Sequence, residues 1–435
     1  MSAELQQETT ELLQRLIRCN TVNPPGNERV LQEGLAADLR AAGFEVDLLA
    51  AVPERPNLVA RLRGRADGPV LCLLSHVDTV LATASDWTHD PWSGDLADGC
   101  VWGRGALDMK SQTAAEVAAA LSLARAGWRP AQGDLLVVVV VDEEVGGELG
   151  AMWICEHHPA KVRCDYLLNE GGGTHFTYDG ARHYGVCIAE KGVFRFRVTT
   201  DGVAGHASIP KIGVNALLKM APLLARMAER QPQFDRTDET IALLEGLGVA
   251  SDGDLATALE QLRTRDAGLA MLVEPLLGVT LAPTRISASA KINVIPASAE
   301  LRVDCRVPPG LGEEHALKRI REVLGEDGYR LEFTERVIGN GSPVRSPLMD
   351  AIEGWIAAND PGARIVPTML PGFTDSRTFR SAFPECVAYG FFPHRHMNLH
   401  ETMPLIHAAD ERIDVRDLGY GASFFRDVCK ELLGA

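Results

Sequence analysis

Three short apolar runs along this chain predict buried strands. Val70-Leu71-Cys72-Leu73-Leu74 leads into Ser75-His76-Val77-Asp78, Leu135 to Val141 into Asp142-Glu143-Glu144, and Tyr166-Leu167-Leu168 into Asn169-Glu170-Gly171-Gly172. Unbroken β-rich runs of this kind read as parallel strands covered on both faces. Helical spacing marks residues 4–18 and Val30 to Ala42, the second stopped by Gly43. Asn23-Pro24-Pro25-Gly26 between them reads as a breaker. Phe44 to Ala51 and Asn57 to Leu62 read as strands, Lys110 to Ala126 as an Ala-rich helix, and another helix starts near Ala151. The β–α–β–α–β alternation predicts a parallel sheet with crossover helices.

Beyond about residue 184 the pattern changes. Val193 to Thr199 alternates as a strand, Asn215 to Glu229 is helical, and Ile286 to Ile292 and Ala299 to Val307 read as strands. Glu313 to Leu324 then reads as a helix and Tyr329 to Val337 as a strand. The order β–α–β–β–α–β is ferredoxin-like. Residues 232–282 form an insertion whose path the pattern does not reveal. Helix and strand alternate again at Leu348 to Ala358, Val387 to Phe392 and Asp417 to Leu433. The expected fold is an α/β domain with a mainly parallel sheet flanked by helices, over 1–188 and 339–435. A smaller α+β ferredoxin-like domain over 189–338 interrupts it.

Composition narrows the partners. The 435 residues carry a net charge of −16, which argues against nucleic acid or an anionic membrane surface as partner. No run approaches the ~20 apolar residues of a membrane span. The start, Met1-Ser2-Ala3-Glu4, lacks the basic and apolar regions of a signal peptide. Nine scattered cysteines without a CxxC pair point to free thiols in a reducing compartment, hence the cytoplasm. Cys72, Cys187 and Cys305 lie in apolar runs and read as core filler.

The chemistry collects at the strand ends, where open α/β sheets bind ligands. His76 and Asp78, at i and i+2, share one strand face. A metal-bound imidazole needs its second nitrogen held by an acceptor, which Asp78 could supply; taken alone, the pair also reads as a surface loop. Asp108 follows Gly103-Arg104-Gly105 at a helix start. The loop lacks the third glycine of a dinucleotide fingerprint, so that reading is rejected; a plain N-terminal helix carboxylate is the alternative. Glu143 and Glu144, on extended backbone, would point opposite ways, one to a metal and one to substrate as a base. Glu170 ends the third strand. His394, His396, His400 and His407 are candidates for a further ligand.

Together these motifs, in order and over nearly the whole chain, resemble the M20 family of di-zinc metallopeptidases and amidohydrolases. They are Ser75-His76-Val77-Asp78-Thr79-Val80, Gly103-Arg104-Gly105-Ala106-Leu107-Asp108-Met109-Lys110, Asp142-Glu143-Glu144, Gly205-His206-Ala207-Ser208-x-Pro210 with Asn215-Ala216, and His407-Ala408-Ala409-Asp410-Glu411-Arg412. The resemblance implies two Zn2+ per chain, with Co2+ or Mn2+ as substitutes. It implies that Asp108 bridges the ions, that His76 and Glu170 complete one site, and that Glu144 and His407 complete the other. Asp78 then orients His76, and Glu143 is the general base acting on the metal-bridging water. A cis peptide is expected at Asp108-Met109. The inserted domain becomes a lid and dimerisation domain, giving a homodimer in which His206 reaches the other subunit's active site and stabilises the oxyanion.

Asn293, Arg306, Gly372 and Thr374 resemble carboxylate-binding elements; alternatively Arg306 pairs with a nearby acid and Thr374 caps a helix. Glu at position 170, rather than Asp, implies a deacylase or carboxypeptidase acting on an N-acyl amino acid or short peptide with a free carboxylate. The alternatives are a dipeptidase or aminopeptidase of the same family, or a non-catalytic metal-binding protein of this fold, against which the intact Glu143 argues.

Overall fold

The computed structural model describes residues 2–249 and 253–434. The chain divides into two compact units. One holds the residues up to Ile188, Ser342–Thr368 and those from Thr374 on; the other holds Ala189–Gly341 and Met369–Phe373. Of the expected ranges 1–188, 189–338 and 339–435, residues 1, 250–252 and 435 lie outside the described residues.

The first unit is built on a ten-stranded mixed sheet. Its centre is four parallel strands, Asp134–Val140, Val70–His76, Tyr166–Asn169 and Val387–Gly390. Leu135 to Val140 are fully buried, as a strand covered on both faces requires. Antiparallel strands extend both flanks: Asn57–Arg63 and Glu45–Leu49 on one side, Ala181–Glu190 and Thr174–Tyr178 on the other. The parallel register aligns His76 with Val140 and Leu73 with Leu168. Thus the three polar tails emerge together at one end of the sheet.

Helices Ala3–Ile17, Lys110–Arg125 and Val415–Leu433 pack together beside the sheet. Ala151–His157 and Asp375–Ala382 pack on one another, and their Ile154 and Phe379 share a core cluster with Cys72, Leu136 and Leu167. Lys110–Arg125 is buried along nearly its whole length, so its sequence shows alanines rather than an apolar stripe. Cys72, Cys187 and Cys305 are buried, as filler should be.

Glu116 lies in the middle of this helix with no exposure; the Gln112 amide donates to its Oε1 at 2.9 Å, and the Ser75 hydroxyl is its other polar neighbour. Burial pushes its carboxyl up to about 8. Between the ordinary value of 4.5 and about 8 the folded state therefore holds more protons than the unfolded state, and stability falls as pH rises through that window. Glu116→Gln keeps the shape and the Gln112 contact while removing the ionisation. Its thermal stability should match wild type near pH 5 and exceed it at pH 8.5 by about 1–3 kcal/mol. Parallel unfolding curves at the two pH values would reject this.

In the second unit, Thr280–Ser287, Ser298–Val307, Phe196–Asp201 and Arg330–Phe333 form an antiparallel sheet in that spatial order. Helices Ala216–Glu229 and Glu313–Leu324 bury Met220, Leu223, Ile320 and Val323 in its core. The ferredoxin-like order is therefore present. The strand expected at Ile286 to Ile292 lies earlier, at Thr280–Ser287. It is an edge strand with six exposed positions, so no alternation marks it in the sequence. The strand expected over Tyr329 to Val337 ends at Phe333, and Val337 keeps only an isolated bridge to Val193. The 232–282 insertion contains helices Asp238–Gly246, Leu255–Arg265 and Ala267–Val273.

Candidate metal centre

His76, the last residue of its strand, is fully buried. Its Nδ1 lies 3.1 Å from the Asp78 carbonyl oxygen and 3.4 Å from Asp78 Oδ1. With Nδ1–H held there, Nε2 carries the lone pair. Around Nε2 stand Asp108 Oδ1 at 3.3 Å, Glu170 Oε1 at 3.7 Å and Glu143 Oε2 at 4.0 Å. The other Asp108 oxygen, Oδ2, lies 3.0 Å from His407 Nε2, which is 3.3 Å from Glu144 Oε2. One carboxylate thus turns an oxygen to each of two imidazoles.

The backbone explains the aim of each group. Asp142, at φ 74, is left-handed and folds Glu143–Val145 into a single 3-10 turn. The extended backbone expected at Glu143 and Glu144 is therefore absent, yet the turn still sends the two side chains to different neighbours, Glu143 to His76 and Glu144 to His407. Asp78 fastens the turn, accepting the Glu143 N–H at Oδ1 (3.1 Å) and the Glu144 N–H at Oδ2 (3.2 Å). After Glu170 the chain passes so close to Phe392 that a Cβ on Gly173, at φ 101, would lie 2.2 Å from the Phe392 oxygen. His407 itself has φ 60, an uncommon conformation for a non-glycine residue beside a site. The Asp108–Met109 peptide bond is cis.

Glu411, which sequence reasoning quoted in a motif without giving it a role, holds the Asp108 loop. Its Oε2 accepts from Arg104 Nη1 at 2.6 Å and from Gly105 N at 3.1 Å. Its Oε1 accepts from Leu107 N at 2.6 Å and from Asp108 N at 3.0 Å. Asn23, in the Asn23-Pro24-Pro25-Gly26 breaker, also holds the site: its amide donates to Asp78 Oδ2 at 2.9 Å.

Electrostatics fit a cation-binding cluster. Burial, then the neighbouring Glu170 charge, pushes the Glu143 carboxyl up, and burial pushes Glu170 up to about 7. Burial opposes charge on Asp108 too, but the hydrogen bond from His407 and the adjoining His76 imidazole hold its carboxyl below the usual range. Hydrogen bonds to Asp108 and Glu144 raise His407 to about 10. Protons here occupy positions that metal ions compete for. His76 Nε2 and Glu144 Oε1 are buried without a hydrogen-bond partner, a costly arrangement that a cation relieves. The donors are imidazole nitrogen and carboxylate oxygen, suited to zinc and neighbouring divalent ions. His76, Glu143 and Glu170 present atoms within 4.8 Å of one another, as do His76, Asp108 and Glu144.

The remaining expected residues are placed as follows. Thr374 caps helix Asp375–Ala382 and accepts from Asn169 Nδ2 at 3.2 Å. Arg306 pairs with Asp304 at 2.7 Å and donates to the Pro371 carbonyl at 3.2 Å, beside Gly372. His206 and Asn293 are exposed in the second unit. There the short strands Gly205–His206 and Val294–Ile295 pair, and Ser208 Oγ lies 2.7 Å from His206 Nδ1. Of the other histidine candidates, His394 is buried against Thr174, while His396 and His400 are exposed.

The family model for peptidase family M20/M25/M40 matches residues 72–431. The chain belongs to this family. Among M20 relatives, the succinyl-diaminopimelate desuccinylase of Methylorubrum populi is 29% identical over 423 residues, covering 95% of each chain. The "Probable carboxypeptidase S-like 2" of Dictyostelium discoideum is 25% identical over 378 residues, covering 83% of this chain and 71% of that protein. The M20 metallo-carboxypeptidase Sso-CP2 from Sulfolobus solfataricus superposes with a TM-score of 0.72 at 16% identity, covering 98% of this chain and 99% of that one. This M20 chain is a metal-dependent hydrolase of amide or peptide bonds. None of its described helices is long and apolar enough to cross a membrane.

Proposed function

We propose that this M20 enzyme hydrolyses the amide bond of a small N-acyl amino acid or short peptide with a free carboxylate, using two zinc ions per chain. Asp108 carries the reading: Oδ1 faces His76 Nε2 at 3.3 Å and Oδ2 faces His407 Nε2 at 3.0 Å. His76, Asp108 and Glu170 would hold one ion, and Asp108, Glu144 and His407 the other, with cobalt or manganese as substitutes. Bound there, the ions supply an activated water and a polarised scissile carbonyl. Asp78 fixes the His76 tautomer and the turn carrying both glutamates. Glu143 takes a proton from the attacking water on a carboxylate oxygen and returns it to the leaving amine nitrogen.

Glu170 in place of Asp, and relatives named desuccinylase and carboxypeptidase, support a deacylase or carboxypeptidase over a dipeptidase. Arg306, with Gly372 and Asn293 of the same unit, would receive the substrate carboxylate, and separately Thr374 is a further candidate; the Arg306 guanidinium is half-buried, paired with Asp304 and against the Pro371 carbonyl. Nine free cysteines support a reducing, cytoplasmic setting. The decisive experiment is metal analysis of the purified protein with a panel of N-acyl amino acids and dipeptides. Two zinc equivalents and turnover of blocked amides are expected; full activity without metal would refute the site.

A homodimer through the second unit is part of the proposal, with His206 stabilising the oxyanion in the other subunit. Its support is exposure in the second unit: Ile209 (55%), Leu218 (70%) and Ile292 (102%) face solvent, and the edge strand Thr280–Ser287 is open along six positions. Sedimentation should show a dimer that Leu218→Glu dissociates. His206→Ala should lower kcat while leaving zinc content unchanged. A wild-type monomer with full activity would remove both claims.

A further inference from the structure

Behind the metal centre runs a buried polar chain that the mechanism above leaves unused. Asn23 Nδ2 bridges two carboxylates, Asp78 Oδ2 at 2.9 Å and Asp142 Oδ1 at 3.1 Å. Asp142 Oδ1 also accepts from Arg55 Nη1 at 2.8 Å, and Oδ2 accepts from Leu149 N at 3.0 Å. The rest of the Arg55 fork grips Glu28, with Nη2 at 2.6 Å from Oε1 and Nε at 3.0 Å from Oε2. Glu28 has no exposure and Arg55 is 7% exposed. Gly26, at φ 74, leaves room for the guanidinium: a Cβ there would lie 2.2 Å from Arg55 Nε.

This chain ends on the backbone that aims the catalytic carboxylates. Asp142 is the left-handed residue that starts the Glu143–Val145 turn, and Asp78 receives the N–H groups of both Glu143 and Glu144. The Asp142 carboxylate is buried, and Arg55 pairs with it from the side away from the turn. A planar fork that is bidentate to Glu28 fixes direction as well as charge. We propose that Arg55, acting through Asp142 and Asn23, is a positioning residue that sets the aim of the Glu143–Glu144 turn against the metal centre.

Glu28, at the start of helix Arg29–Ala41, anchors the fork from the far side. Arg55 touches none of the residues proposed as metal ligands or base, so its effect must travel through Asp142 and Asn23. A merely structural role would lower stability and leave the kinetics of the folded fraction untouched. A positioning role changes kcat in protein that is folded and loaded, because a small misplacement of a catalytic group is costly in rate.

The inference rests on the proposed amidase reading, and the test separates the two. Arg55→Lys keeps the charge but loses the fork, and Asn23→Ala removes the bridge without removing a charge, so a fold-breaking result in one leaves the other informative. Both are measured as zinc-loaded protein well below their unfolding temperatures. We expect kcat at saturating zinc to fall roughly 10- to 100-fold in each, with KM within about threefold. Zinc affinity, read by competition with a chelator and needing no turnover, should weaken roughly tenfold, because Asp78 loses its Asn23 contact or its alignment. In Arg55→Ala, added guanidinium should restore part of the lost kcat. Wild-type kcat in both Arg55→Lys and Asn23→Ala overturns the inference, whatever happens to their unfolding temperatures. If the wild-type protein turns over no amide at all, the amidase reading fails by itself, and unchanged zinc affinity in both variants then overturns the inference independently.

Discussion

Replacing Glu143 with glutamine should lower kcat by roughly 100- to 10,000-fold while both metal equivalents and the fold remain. Glutamine matches glutamate in shape but has no lone pair basic enough to take the proton of the attacking water. The substitution also decides a point that distances leave open. Glu143 Oε2 lies 4.0 Å from His76 Nε2, and Glu143 belongs with His76 and Glu170 to a set of donors close enough to hold one ion. If Glu143 is a ligand, Glu143→Gln loses an equivalent of zinc together with its activity. If Glu143 is the base, zinc stays and KM moves little. Metal analysis beside steady-state kinetics on the same preparation distinguishes the two, and unchanged turnover would eliminate the base altogether.

The site was legible in the sequence where a strand delivers a residue directly. His76 and Glu170 stand at or just past strand ends, and an unbroken apolar run announces each strand. Asp108 and His407 were legible only through the motif series, because both lie on irregular loops. The groups that hold them were not legible. Asn23 sits in a string of turn formers, Arg55 in a loop without any pattern, and Glu411 next to two other charged residues that look equally solvated. Burial of such groups is settled by tertiary contacts, and no local period reports it. The fold follows the same division. The central parallel strands and helix Glu313–Leu324 matched their patterns. Thr174–Tyr178, Arg364–Leu370, Asp375–Ala382 and His394–Asn398 went unread. In two of these strands the buried residues include histidines, His175 and His394, that look polar in sequence.

Glu411→Ala should be among the most damaging single substitutions in the chain, for stability and for metal together. Glu411 is fully buried, and one carboxylate satisfies the Arg104 guanidinium and three backbone N–H groups, those of Gly105, Leu107 and Asp108. Removing it leaves a buried arginine, the buried Gly105 N–H and the half-buried Leu107 and Asp108 N–H groups without their acceptor. Breaking one side of a buried ion pair costs about 3–5 kcal/mol, and the orphaned donors add to that. Part of the cost can be recovered by letting the Gly103–Asp108 loop open to water, which is why metal binding should go with it. Asp108 is the carboxylate shared between His76 and His407, so a mobile loop weakens both ion positions at once. Thermal unfolding should drop sharply, and zinc content should fall below two equivalents even at temperatures where the variant is folded. Glu411→Gln retains the volume but turns an amide NH2 toward either the arginine or the backbone donors, so it should fall between alanine and wild type in both measurements. A Glu411→Ala protein with wild-type unfolding and full zinc would show that the loop holds Asp108 in place by its own packing.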